Sequence, residues 1–157
     1  MSDLKVVAEP GRQDIVITRT FDAPRELVWR AVTDPDLVAR WFGLDSTTTE
    51  VDPTEVRTGT PWRISEKAPD GEVYAFHGVH HDVRAPERVV RTFEFEGVPE
   101  HVSLETLTLE EADGRTEYRA VALFQSVEDR DGMVASGMES GLSQSLDKLD
   151  EVLRSLR

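Results

Sequence analysis

The sequence contains no cysteine, which excludes disulfides, thiolate metal ligands and a cysteine nucleophile. It has no apolar run approaching the length of a membrane span, so no membrane insertion is expected. Basic clusters are missing too: the arginines are spread singly through a chain with 31 acidic and 18 basic residues and a formal charge of -13. A chain so acidic repels phosphate backbones and anionic lipid surfaces, which argues against nucleic-acid binding. Glycine-rich phosphate loops of the G-x-G-x-x-G or G-x-x-x-x-G-K type are absent, as is a G-x-S-x-G nucleophile elbow. The opening "MSDLKVVAEPGRQD" carries one lysine and a short apolar patch and does not read as a secretory signal, so a cytoplasmic location is expected.

What is present reads as one α+β domain. A chain of 157 residues can bury a core without covalent or metal staples. After an N-terminal extension (1–13), "DIVITRTF" alternates and is β-branched, as a first strand should be. "DAPRELVWRAVT" then places Leu27, Val28, Ala31 and Val32 on one helical face, with a proline at the start. "DPDLVARWFG" begins a second short helix: Asp34 caps it, Pro35 sits in its first turn and Gly43 stops it. Strand patterns broken by turns fill the region up to about residue 125, including a hairpin around Asp113-Gly114. The last segment is helical from a cap at Ser126, with Asp129 three residues on. Met138, Leu142, Leu149, Val152, Leu153 and Leu156 form its apolar stripe. A sheet covered by that helix, with the two short helices closing one end, is the simplest assembly.

Four ordered pieces carry a family resemblance: "FDAPRELVWRAVTDPDLVARWFG", "GTPW", "PDGEVYAFHGVHHDVRAPERVVRTF" and "SGMESGLSQSLDKLDEVL". Together they resemble the START-like, or SRPBCC, superfamily with its helix-grip fold. More narrowly, they resemble the family named for the activator of the heat-shock-protein-90 ATPase. The resemblance implies a curved antiparallel sheet of about seven strands wrapped around one long C-terminal helix, forming a single domain over residues 14–157. It also implies a cavity between sheet and helix, fitted to lipids, polyketides or other apolar molecules.

Candidate lining residues follow from that frame. Trp41, Phe42, Trp62, Phe76, Phe93, Phe95 and Phe124 come from the short helices and several strands. Pocket lining and ordinary core filling both suit such rings. Met133 and Met138 add adaptable apolar surface in the last helical segment. Gly132, Gly137 and Gly141 interrupt that segment at a cost in helix propensity, compatible with close packing or with room for a ligand. Strand alternation puts His77 and His81 on one face and His80 on the other. His81 is taken as a polar group of the pocket. Unliganded strand histidines are the expectation, since no H-x-x-x-H or H-E-x-x-H pattern joins them. No metal, cofactor or catalytic residue is assigned.

The leading expectation is therefore binding of a small apolar ligand in the helix-grip cavity. A polyketide cyclase/aromatase-like or hydrolytic enzyme using the same cavity is the first alternative. A chaperone-interaction module is the second, and self-association is left open.

Overall fold

The computed structural model describes residues 3–157; Met1 and Ser2, at the start of the extension, lie outside the described residues. Within the extension, β1 (Lys5–Val7) pairs antiparallel with β2 (Asp14–Phe21). This is one strand more than the sequence pattern implied, because three residues are too few for alternation to register. In β2 the alternation is strict: Ile15, Ile17, Arg19 and Phe21 are buried and the residues between them are half-buried.

The two short helices are α1 (Arg25–Thr33) and α2 (Pro35–Trp41). The Asp34 carboxylate between them accepts the Asp36 amide at 2.9 Å, capping α2 while Pro35 fills a position that needs no N–H. Gly43 ends the unit at φ 103. A side chain there would strike the Glu66 carboxylate, so glycine is required for space as well as for conformation.

The chain then meanders through β3 (Thr48–Val51), β4 (Pro61–Lys67), β5 (Val73–Arg84), β6 (Arg88–Phe95), β7 (Val102–Ala112) and β8 (Arg115–Leu123). The sheet order is β1-β2-β8-β7-β6-β5-β4-β3, antiparallel throughout. The segment holding α1 and α2 therefore carries the chain from β2, near one edge, to β3 at the other. At the β7–β8 turn, Asp113 (φ 56) and Gly114 (φ 75) both adopt the positive φ of a two-residue primed hairpin.

The C-terminal segment is two helices, not the single one expected. α3 (Val127–Ala135) starts where Ser126 Oγ accepts the Asp129 amide at 3.0 Å, and α4 (Met138–Ser155) runs to the end of the domain. Gly137 breaks them apart at φ 84, a left-handed conformation that ends an α-helix and favours glycine. Neither Gly132 nor Gly137 has a neighbour that a side chain would meet, whereas Gly141 faces Leu44 at 3.3 Å. Only Gly141 thus serves close packing. Arg130, 2% exposed, ties α3 down by donating to the carbonyls of Asp14 (3.1 Å) and Glu9 (2.8 Å).

α4 is the helix the sheet grips. Its buried residues Ser145, Leu146, Leu149, Val152 and Leu153 recur at helical spacing. It packs directly on α1 and α2, where Val28, Ala31, Leu37 and Val38 are buried with it. Phe21 and Leu109 close the same core from the sheet. Each fully buried leucine here contributes roughly 1.5–3 kcal/mol through area removed from water. Among the described residues no helix is long and apolar enough to cross a membrane.

Candidate functional site

The N-terminal half of α4 stands over open space. A cavity of about 410 Å³ lies between it and the inner face of the sheet, reached by residues of α1 to α4 and of β2 through β8. Its volume falls in the range of small-molecule pockets, roughly 300–1,000 Å³. Small inward side chains leave the room: Ala120 and Ala122 on β8, Ser103 on β7, and Gly141 and Ser145 on α4 all line it.

Aromatic rings build one wall. Trp41 and Phe42 at the end of α2 have centroids 6.0 Å apart, and Phe42 continues to Phe76 on β5 at 6.0 Å. Phe76 meets Phe93 on β6 at 5.3 Å, and Phe93 meets Trp62 on β4 at 5.7 Å. The Trp41 indole N–H donates to the Ala31 carbonyl at 2.9 Å, and that of Trp62 to the Thr92 carbonyl at 3.0 Å. Trp62 reaches β6 across β5 because Gly78 lies beneath it. A Cβ on Gly78 would strike both the Thr92 carbonyl and the indole.

Trp41, Phe42, Trp62, Phe76, Phe93, Phe124, Met133 and Met138 all line the cavity. Phe95 and His81 do not. Phe95 shares a strand face with Phe93 but sits two residues further along. There it packs on Phe76 (5.3 Å) and Tyr74 (6.4 Å), outside the enclosed space. His81 is exposed. A bulge between His80 and Asp82 shifts the β5–β6 register at that point, and the inward histidine is His80, 3% exposed. The sequence carried the signal: Phe76, Gly78 and His80 share parity, whereas Phe76 and His81 cannot share a face of one regular strand. His77 is on the outer face, its Nδ1 3.0 Å from Glu96. His101 lies at the surface beside Asp129, at 2.9 Å.

A polar row crosses the apolar wall. His80 pairs in register with Arg91 on β6, and Arg91 with Glu105 on β7. Arg91 Nε donates to Glu105 Oε1 at 2.9 Å, and the guanidinium lies 4.0 Å from the Trp62 ring centroid, a cation–π distance. Burial, and secondarily the Arg91 charge, push the His80 imidazole down to about 4, so it is neutral at physiological pH. Tyr118 on β8 is pushed up to about 12 by burial and then by the Glu105 charge, with Arg91 acting in the opposite direction. Glu66 is buried on β4 and accepts the Thr47 hydroxyl at 2.7 Å and the Leu44 amide at 3.2 Å. Of these five polar residues only His80 was indicated by the sequence, through strand parity; Arg91, Glu105, Tyr118 and Glu66 become distinctive only where the sheet places them against the cavity.

A second depression of about 460 Å³ lies outside, between β2 and the C-terminal half of α4. Its lining is entirely polar, and Arg19 and Asp147 pair across it at 2.8 Å; without apolar walls it lacks what holds a small molecule. No group of three or more His, Asp or Glu residues placed to hold a metal ion is found among the described residues.

The fold is shared with solved structures. A protein from Rhodobacter sphaeroides superposes with a TM-score of 0.89 at 24% identity, covering 99% of this chain and 100% of that one. A protein from Arthrobacter aurescens gives 0.87 at 25% identity, with 96% and 91% covered. CalU16 from Micromonospora echinospora gives 0.62 at 25% identity, with 98% and 85% covered. No curated protein sequence matches the chain. The model of the family described as Activator of Hsp90 ATPase homolog 1-like protein matches residues 22–154, and with the helix-grip sheet and its gripped helix in place, the chain belongs to that family.

Proposed function

We propose that this protein binds a small, largely apolar molecule in the cavity between the sheet and the N-terminal half of α4. The observation that carries this reading is the cavity itself, about 410 Å³ of space walled by rings and aliphatic side chains. A folded chain fills such a volume wherever side chains can reach. Here small residues on β7, β8 and α4 keep it open. Burying ligand surface there contributes roughly 25 cal/mol per Å² before ordering costs are subtracted. The aromatic chain from Trp41 to Trp62 supplies rigid contact surface, and Met133 and Met138 supply adaptable surface.

Binding takes precedence over catalysis for a specific reason. Among the described residues the cavity histidine, His80, has no hydrogen-bond partner to orient its ring, whereas a general base is held in its tautomer and direction by one.

Calorimetry and thermal-shift measurements with a panel of apolar compounds test the reading. At least one compound is expected to raise the melting temperature in the native chain. Ala122→Trp, which fills the cavity from β8, is expected to abolish that response. If no compound stabilises the native chain, or the filled variant responds equally, cavity binding is refuted.

A further inference from the structure

Resting on the cavity-binding reading, we infer that the ligand is an uncharged ring compound whose hydroxyl docks on the unpaired polar groups of the cavity wall, His80 and Arg91 side by side in register and Tyr118 further along β8. Three observations converge on this.

The first is an unmet hydrogen-bonding capacity. His80 lines the cavity at 3% exposure, and neither of its ring nitrogens has a partner among the described residues. A buried polar atom left unpaired costs free energy that a ligand group can recover. The Tyr118 hydroxyl and the terminal nitrogens of Arg91 likewise make no hydrogen bond within the described chain. Unpaired groups on β5, β6 and β8 thus border one space.

The second is the type of those groups. A neutral imidazole presents one donor and one acceptor, a phenol presents both, and a guanidinium only donates. His80 and Tyr118 are both neutral at physiological pH for the reasons given above. A hydroxyl, which donates and accepts at once, satisfies this mixed set. A carbonyl satisfies only the donors.

The third is charge. Asp52, Glu66 and Glu105 line the cavity, and Arg91 is its only cation among the described residues. Arg91 is already engaged by Glu105 at 2.9 Å and by the Trp62 ring. An anionic head group would enter a space with excess negative charge whose one cation among the described residues is already neutralised by Glu105, so its lost hydration is only partly compensated. A fatty-acid carboxylate is disfavoured on that ground. A cationic amine would be drawn to Glu66, whose Oε1 already accepts from Thr47 and Leu44, but an ammonium cannot accept the hydrogen bonds that Arg91 and the imidazole N–H offer.

Four probes on one skeleton decide the matter by isothermal titration calorimetry at pH 7: naphthalene, 2-naphthol, 2-naphthoate and 2-naphthylmethylammonium. The inference expects 2-naphthol to bind about tenfold tighter than naphthalene, and both charged probes to bind more weakly than 2-naphthol. Tyr118→Phe and His80→Gln, each near-isosteric, should both bring the 2-naphthol to naphthalene affinity ratio toward one. Equal affinity for naphthol and naphthalene, tightest binding of either charged probe, or a ratio unchanged in both variants overturns the inference while cavity binding stands. Failure of all four probes to bind while a compound of the apolar panel binds overturns the inference alone; failure of the panel as well overturns the reading beneath it.

Discussion

The two halves of α4 face the same sheet, yet one half sits in a filled core and the other borders a cavity. Toward the C-terminus, Leu146, Leu149, Val152 and Leu153 meet Val28, Ala31, Leu37 and Val38 from α1 and α2, and little space remains. Toward the N-terminus, Gly141 and Ser145 oppose Ala120, Ala122 and Ser103, and about 410 Å³ stays open. Large residues at helical spacing define the first half, and small ones at the same spacing define the second. The difference separates stability from binding along one helix. It also separates polar chemistry, because the buried His80 imidazole, without a partner among the described residues, lies where there is room for a ligand to supply one.

Substitutions test this contrast most sharply. Leu149→Ala, at a fully buried position, should cost about 2–5 kcal/mol in chemical denaturation, since the void it leaves cannot collapse. Equal tolerance at Leu149 and at the cavity wall would break the comparison. Acidification comes next. The His80 imidazole, faced by Arg91 on β6 with Glu105 beyond it, is held down to about 4 from an ordinary 6.5. Between those values the unfolded chain takes up a proton that the folded chain refuses. Stability from this group is therefore complete above pH 6.5 and is lost as pH falls toward 4, by roughly 3 kcal/mol. Denaturation of native and His80→Gln protein across that window should show a steeper decline for the native chain; parallel curves would remove the assignment.

Leu142→Ala should cost only ~1 kcal/mol, because it widens space that already exists instead of opening a new void. It lines the cavity from α4 and is half-buried. A loss as large as that at Leu149 would mean the two halves are equally packed. The smallest effect concerns the surface link between the loop before β7 and α3. The Asp129 carboxylate, hydrogen-bonded at 2.9 Å, holds the His101 imidazole above its ordinary value. Its contribution is present below the ordinary histidine range and lost as pH rises through the raised value. A proton NMR titration of His101 should move down toward the ordinary value in Asp129→Asn; an unchanged midpoint would show that the pair does not form in solution.

Much of the fold was legible because it rests on local chemistry. The Asp34-Pro35 junction, the Asp113-Gly114 turn, the Ser126 cap and the strict alternation of β2 each express a short-range rule that sequence displays directly. The break at Gly137 was visible only as a costly residue, since helix propensity does not say whether a glycine is tolerated or left-handed. Eight of the proposed lining residues fall on the cavity, chiefly because large rings on inward positions have few other places to go. His81 and Phe95 fall elsewhere, one because β5 bulges beside His80 and one because the enclosed space ends before β6 does.

By itself, then, the sequence determined the elements, their order and the apolar faces that bring helix and sheet together. Only the tertiary structure decided where the packing fails to close. A cavity is a shortfall of volume summed over seven or more distant elements, and no local pattern records that sum. The same holds for His80, Arg91, Glu105 and Tyr118, ordinary polar residues in the chain whose chemistry arises from being brought together beside an open space.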